Sequence, residues 1–371
     1  MTEAPFPLYQ RYPQLEATLP RLPITRLPTP VERLEKLGAR IGCDRLWIKR
    51  DSVSGTIYGG NKPRKLEFIL ADALARGTRT IITFGGLATN HGLATALYCR
   101  EHGLRTALLL VHQPVDDHVR RQLLRLHQAG ATLHYTVSSP RTRLLAPLLL
   151  LRYADWRRRK LPYLLPPGGS TPLGTLGFVN AALELAEQVA AGECPQPEHI
   201  VVALGSNGTA AGLLLGLRLA GLSSRLVAIQ ISDIGTLGPD TVVGLANGAA
   251  DLLRRRGAAL PPGRLEPSDV TVVSDWLGPG YGHHTPAGQR AQELLRETED
   301  LTLDATYTAK TMAALLGMLE DGRLQGGPIL YWHTYNALPL PEPDPADFRQ
   351  LPRAFHRFFE APPEPSGTAE G

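Results

Sequence analysis

Tyr58-Gly59-Gly60-Asn61-Lys62-Pro63-Arg64-Lys65-Leu66-Glu67-Phe68 is the stretch on which the reading of this chain turns. Beyond Lys62, the apolar residues Leu66, Ile69, Leu70, Ala73 and Leu74 recur on one face, which predicts a helix over about 65–76. Pro63 suits the first turn of that helix, where a missing N–H costs nothing, so Lys62 stands at the helix mouth. There the helix dipole and the neighbouring cations Arg64 and Lys65 favour a less protonated amine, and a neutral amine can attack an aldehyde. Gly59 and Gly60 would let the backbone come close to a flat ligand. Taken alone, the segment reads more readily as a solvated loop.

A second motif changes that balance. Gly205-Ser206-Asn207-Gly208-Thr209-Ala210-Ala211-Gly212 follows the strand-like run Ile200 to Leu204 and opens a helix-like run from Leu213 to Leu222. Backbone N–H groups in such a loop cradle a phosphate. A lysine able to form a Schiff base, with a separate phosphate loop, is what pyridoxal phosphate requires, because its aldehyde and phosphate ends are held independently. The two motifs lie about 140 residues apart, so a fold must bring them together.

Outward from these motifs, helices alternate with short apolar strands. The first series is helix 32–37, strand 46–50, helix 65–76, strand 80–84, helix 90–102, strand 106–111, helix 116–128 and strand 132–135. The second has strands at 200–204, 226–231, 270–273 and 329–332, with helices at 178–190, 238–255, 286–297 and 309–321. This predicts an α/β fold of parallel sheets covered by helices on both faces. Pro166 to Gly177, dense in glycine and proline, reads as an interdomain hinge that lines the ligand cleft. Arg141 to Lys160 gathers seven basic residues around an aliphatic centre, the pattern of an amphipathic helix with a solvated basic face, or of a helix that meets a partner.

The composition fits an ordinary globular enzyme, with 371 residues, 43% hydrophobic and 20% charged. A formal charge of +4 gives no reason to invoke nucleic acid, and the one basic segment lacks stacking aromatics. Cys43, Cys99 and Cys194 are too few and too far apart for a disulfide framework or a zinc cluster, so no metal is expected and a reducing cytoplasm fits best. Met1 to Tyr12 shows no secretory pattern, and the longest apolar run, Leu144 to Leu151, is too short to span a bilayer, so no membrane partner is expected.

In order and spacing the motifs resemble the fold-type II pyridoxal-phosphate family of D-cysteine desulfhydrase and 1-aminocyclopropane-1-carboxylate deaminase. The resemblance runs from about Leu27 to Leu338. It is carried by Ile48-Lys49-Arg50-Asp51, Gly59 to Glu67, Thr89-Asn90-His91, Pro167-Gly168-Gly169-Ser170, the phosphate loop, Gly278-Pro279-Gly280-Tyr281-Gly282 and Tyr307-Thr308. It implies a two-domain, tryptophan synthase β-like architecture. The large cofactor-binding domain would be 1–65 with 178–361, the small domain 66–177, and residues 362–371 a disordered tail. It also implies a homodimer acting on a small amino acid.

By position, Lys62 matches the lysine that joins the cofactor and moves protons at Cα, and Tyr281 and Tyr307 match two active-site tyrosines. Gly205, Ser206, Asn207, Gly208 and Thr209 match the phosphate cup, and Asn90 a contact to the cofactor's ring hydroxyl. Thr89 and His91 fall where the substrate carboxylate is held. Thr308 stands at the ring nitrogen, where the family's deaminases have glutamate; a hydroxyl there implies a weaker electron sink, suited to β-elimination. Two departures are expected to reshape the pocket: Thr89 in place of the usual serine, and Tyr335-Asn336 in place of two glycines. The implied activity is α,β-elimination and deamination, with D-cysteine giving a keto acid, ammonia and sulfide. The alternatives are cyclopropane opening, racemisation, or a ligand-binding protein without chemistry. His333 and Asp304 read as a packed histidine and a helix cap.

Overall fold

Alternating apolar strands and amphipathic helices form two separate sheets in the computed structural model, which describes residues 6–362. The strands are β1 (Val31–Arg33), β2 (Leu46–Lys49), β3 (Thr80–Gly86), β4 (Arg105–Val111), β5 (Thr132–Val137), β6 (Tyr163–Leu165), β7 (His199–Leu204), β8 (Arg225–Gln230), β9 (Val270–Val273) and β10 (Ile329–Trp332). The helices are α1 (Pro7–Arg11), α2 (Leu15–Thr18), α3 (Glu35–Ile41), α4 (Lys62–Ala75), α5 (Asn90–Glu101), α6 (Asp117–Gln128), α7 (Ser139–Arg152), α8 (Pro172–Ala190), α9 (Gly208–Ala220), α10 (Pro239–Arg255), α11 (Pro286–Glu299), α12 (Thr308–Glu320) and α13 (Arg357–Glu360).

The chain divides into two compact units. One comprises the chain up to Phe68 and Ser170–Leu338. Its six-stranded sheet runs β1-β2-β10-β7-β8-β9, parallel throughout except for the β1 edge. Side chains alternate across the strands. Ile200, Val202, Leu330 and Trp332 pack with Phe178, Leu213 and Val242 of α8, α9 and α10, whereas Val201, Ile229 and Tyr331 pack with Leu295 and Met312 of α11 and α12. Two glycines let α9 lie close to α8: a Cβ at Gly212 would come within 2.4 Å of Phe178 Cβ, and one at Gly216 within 2.6 Å of Ala182 Cβ.

The second unit comprises Ile69–Gly169 and, among the described residues, 339–362. Its parallel sheet runs β5-β4-β3-β6. The terminal segment is fastened to it: Arg120 Nε donates to Phe358 O at 2.8 Å, Arg125 pairs with Glu342 at 2.8 Å, and Phe358 lies edge-on to Tyr135 at 5.3 Å.

The boundaries differ from those expected. Residues 339–362 pack on the second unit rather than the first, and the crossings fall after Phe68 and Gly169 instead of at 65 and 177. The passage read as a hinge up to Gly177 belongs in part to α8. Thr171 caps that helix, its Oγ1 accepting from Gly174 N at 3.0 Å, and Gly177 lets α8 meet Arg64, whose carbonyl oxygen would lie 2.0 Å from an added Cβ. The short strand β6 was not expected. The helix expected over 32–37 is instead the end of β1 followed by α3. Of the expected tail, residues 363–371 lie outside the described residues.

The basic segment also differs. α7 packs the half-buried Leu149 and Leu150 against Ile82, Ala107 and Leu109, and turns Leu144, Leu148 and Leu151 outward at 75%, 62% and 53% exposure. Its outer face is therefore an apolar stripe with exposed Arg141, Arg143 and Arg152 around it, not a purely basic one.

Candidate active site

Lys62 is the first residue of α4, and the loop before it is fixed by its own chain. Gly60 N donates to Asp51 O at 2.7 Å, Asn61 N to Thr334 O at 3.1 Å, and Gly59 N to Asn336 Oδ1 at 2.6 Å. The two glycines serve this close packing: a Cβ at Gly59 would lie 1.9 Å from Ser52 O, and one at Gly60 2.5 Å from Thr334 O. Their neighbours are thus backbone atoms, where the sequence suggested a ligand. Asn336 holds the lysine loop and caps Leu338 N at 3.1 Å, so its side chain is structural, while Tyr335 beside it is half-buried.

Lys62 Nζ donates to Asn61 Oδ1 at 2.6 Å and lies 5.9 Å from the Tyr307 ring centroid. Burial lowers its pKa to about 8, against the opposing charge of Asp304. Arg64, expected to help, does not: its guanidinium turns inward onto Asp51 and Glu184.

The glycine-rich loop leads into α9 through Asn207, which adopts φ 63°. Asn61 Nδ2 donates to Thr209 Oγ1 at 3.0 Å, so the lysine loop and the phosphate loop meet directly. Ser170 Oγ accepts from Gly208 N at 3.2 Å and donates to Ser206 Oγ at 3.0 Å. Lys65 Nζ lies 2.9 Å from where a Cβ of Gly208 would sit. Burial, then the charge of Lys62, push the pKa of Lys65 well below its usual value. Helix N-terminus, hydroxyls and amine together could hold an anion. Sequence reasoning took Lys65 only for a neighbour of Lys62; its place one turn along α4 is the signal that would have found it.

Opposite Lys62, Tyr281 and Tyr307 share a 2.8 Å hydrogen bond between their hydroxyls. Burial raises the pKa of both, so the pair stays neutral. The Tyr281 turn is held by Asp233, whose Oδ1 accepts from Tyr281 N at 3.0 Å, and by Lys310, whose Nζ donates to Leu277 O and Gly280 O at 2.7 and 2.8 Å. Lys310 was not anticipated, because a lysine on the apolar face of a helix carries no signal of its own. Asp304 caps α12, accepting from Tyr307 N at 2.8 Å and Thr308 N at 3.1 Å. His333 is fully buried, stacks on Tyr331, and is pushed down to about 4 by burial and Arg50, so it stays neutral.

Thr89, Asn90 and His91 lie at the start of α5 in the second unit. Thr89 Oγ1 accepts from Gly92 N at 3.1 Å, and its methyl carbon sits 2.4 Å from where a Cβ of Gly92 would be. The extra methyl is thus absorbed by glycines rather than added to a pocket. Asn90 Oδ1 accepts from Gln122 Nε2 at 3.1 Å. Thr83 Oγ1 gives its hydrogen to Leu165 O at 2.9 Å, so His91 Nε2, 3.1 Å away, is the donor in their contact.

Beneath Lys62 runs a buried network. Arg64 pairs with Asp51 at 2.7 Å and with Glu184 at 2.9 Å; Lys49 pairs with Glu184 at 2.6 Å and also bonds Gln188; Trp332 Nε1 donates to Asp51 Oδ2 at 2.8 Å. Burial alone would raise the Glu184 carboxyl, but Arg64 and Lys49 hold it at about 2. Two cations balance two anions, and Arg64 ties α4 to the sheet. Replacing Glu184 with Gln should lower stability by about 3–5 kcal/mol, because the buried cations lose a counter-charge. Chemical denaturation of both proteins checks this; a loss below about 1 kcal/mol, the scale of an exposed pair, would count against it.

Three comparisons bear on this site. Residues 24–334 match the family model described as pyridoxal-phosphate dependent enzyme. The chain is 34% identical to the D-cysteine desulfhydrase of Klebsiella pneumoniae (strain 342) over 326 residues, covering 86% of this chain and 94% of that protein. It is also 34% identical to the D-cysteine desulfhydrase of Salmonella choleraesuis (strain SC-B67), again covering 86% and 94%. The crystal structure of an ACC deaminase homologue superposes with a TM-score of 0.73 at 31% identity, covering 87% of this chain and 95% of that one.

Proposed function

Because this chain belongs to the pyridoxal-phosphate-dependent enzyme family and is a lyase of that kind, we propose that it eliminates the β substituent of a small amino acid, with D-cysteine as the leading candidate, to give a keto acid, ammonia and sulfide. The observation that carries this reading is a buried amine near neutrality, Lys62, joined through Asn61 to an anion cup and faced by two neutral tyrosines.

These residues fit the cofactor. Gly205 to Thr209, Ser170 and Lys65 offer N–H, hydroxyl and ammonium groups to a phosphate, and a side chain at Gly208 would fill that space. When bound, the cofactor supplies an electron sink for the pair released at the substrate's Cα. With the cofactor bound, Lys62 would be the amine that holds its aldehyde end and the base that takes the substrate's Cα proton; a pKa of about 8 suits both tasks near neutral pH. Tyr281 and Tyr307, kept protonated by burial, can hand a proton to the departing group. Lys310 and Asp233 hold the Tyr281 turn. Thr308 would face the ring nitrogen. In the second unit, we assign the start of α5, with Thr89 and His91, to the substrate carboxylate and Asn90 to the ring hydroxyl.

The test is a panel of D-cysteine, L-cysteine, β-chloro-D-alanine, D-serine and 1-aminocyclopropane-1-carboxylate, followed by keto-acid release and compared as kcat/KM. D-Cysteine and β-chloro-D-alanine should lead by at least ~10²-fold, about 2.7 kcal/mol of transition-state discrimination. Cyclopropane opening that equals elimination would favour the activity named for the structural relative at 31% identity.

A further inference from the structure

A hydroxyl has one hydrogen to give and two lone pairs with which to accept. At Thr308 nearly all of this capacity is assigned. Its Oγ1 lies 2.6 Å from Asp304 Oδ1, a carboxylate oxygen that can only accept, so the hydroxyl hydrogen points there. The Asp304 N–H donates to the same Oγ1 at 2.8 Å, using one lone pair. What remains is a single lone pair and no hydrogen. Nor is the arrangement loose: Thr308 is buried, Asp304 is fixed by the backbone N–H groups of Tyr307 and Thr308, and Tyr331 Oη donates to Thr308 O at 2.9 Å.

Resting on the reading above that Thr308 faces the ring nitrogen, we infer that Asp304 is a positioning residue that makes Thr308 a hydrogen-bond acceptor toward that nitrogen, which therefore carries a proton drawn from solvent, its charge balanced through the hydroxyl by Asp304. This reverses the expectation from sequence, in which the hydroxyl served a weaker sink. A carboxylate one hydroxyl removed does at a distance what a glutamate at position 308 would do directly. The charge of Asp304 reaches the rest of the site as well: it opposes the lowering of the Lys62 and Lys310 pKa values and helps raise those of Tyr281, Tyr307 and Tyr331.

The experiment uses holoenzyme reconstituted with pyridoxal phosphate labelled with nitrogen-15 in the ring, read by NMR. The native protein should show the upfield resonance of a protonated nitrogen. Asp304→Asn and Thr308→Val should each move it toward the unprotonated position, and Thr308→Ser should keep it. A native resonance at the unprotonated position that shifts in Thr308→Val shows that Thr308 faces the nitrogen but donates to it, which overturns the inference and leaves the assignment of Thr308 standing. A resonance that Thr308→Val leaves unmoved overturns both. Circular dichroism verifies that each variant folds; should Asp304→Asn fail as a helix cap, the Val and Ser variants at Thr308 still decide.

Discussion

Lys62→Ala is expected to lose the visible absorbance band of the lysine-bound cofactor and to lower turnover by at least ~10³-fold, within the range for loss of a positioned acid–base group. The loss should exceed that of any neighbouring lysine, because Lys62 Nζ lies beside both Asn61 and the Tyr307 ring. The same geometry gives a pH dependence. With a folded pKa of about 8, the amine is mostly protonated below that pH and mostly neutral above it, so capture of the cofactor by cofactor-free protein should speed up as pH rises through about 8 and then level off. Borohydride reduction followed by peptide mapping checks the attachment point. Label recovered on Lys65 or Lys310 would refute the assignment.

Gly208→Val should weaken cofactor binding by about 10²-fold, equivalent to losing one or two hydrogen bonds to a charged group. A Cβ at this position would come within 2.7 Å of Ser170 Oγ and 2.9 Å of Lys65 Nζ, so a branched side chain would fill the space proposed for the phosphate and push both groups aside. The helix itself should tolerate the change, since valine is a better helix former than glycine by a few tenths of a kcal/mol. Cofactor retention through gel filtration, read beside the melting temperature of the cofactor-free protein, separates the two effects. Undiminished retention would mean that the phosphate is held elsewhere.

Much of this arrangement was legible from residue order alone. The strands at 270–273 and 329–332 form as read, because their apolar runs are bounded by polar or glycine-rich segments; the second, inside its sheet, is buried on both faces, while the first, at the edge, buries Val270 and Val273. The lysine segment and the loop at Gly205 to Thr209 stand out in the sequence because glycine and proline have few local uses, and the fold brings the two together through Asn61 and Thr209. Less visible was what depends on partners far along the chain. Gly59 and Gly60 are required by Ser52 and Thr334, not by a ligand. Asn336 pins Gly59 across 277 residues of sequence, so it reads as pocket lining until its hydrogen bond is seen. The acidity of Lys62 was traced to neighbouring cations, whereas burial causes it, and burial is a property of the fold. Thr308 and Asp304 were each noticed, but the bond between them, 2.6 Å long, sets a direction of donation that no residue type announces.

The leucine stripe of α7 bears on how the molecule behaves in concentrated solution. Leu144, Leu148 and Leu151 offer neighbouring molecules an adhesive strip, and the arginines at 141, 143 and 152 surround it with charge of one sign. Repulsion between like-charged strips keeps them apart while the Debye length is near 10 Å, as in ~0.1 M salt. Near 1 M salt that length falls to about 3 Å, and the leucines then meet without the electrostatic barrier. Colloidal stability at this face thus depends on ionic strength, in the opposite sense to a protein that salt helps to dissolve.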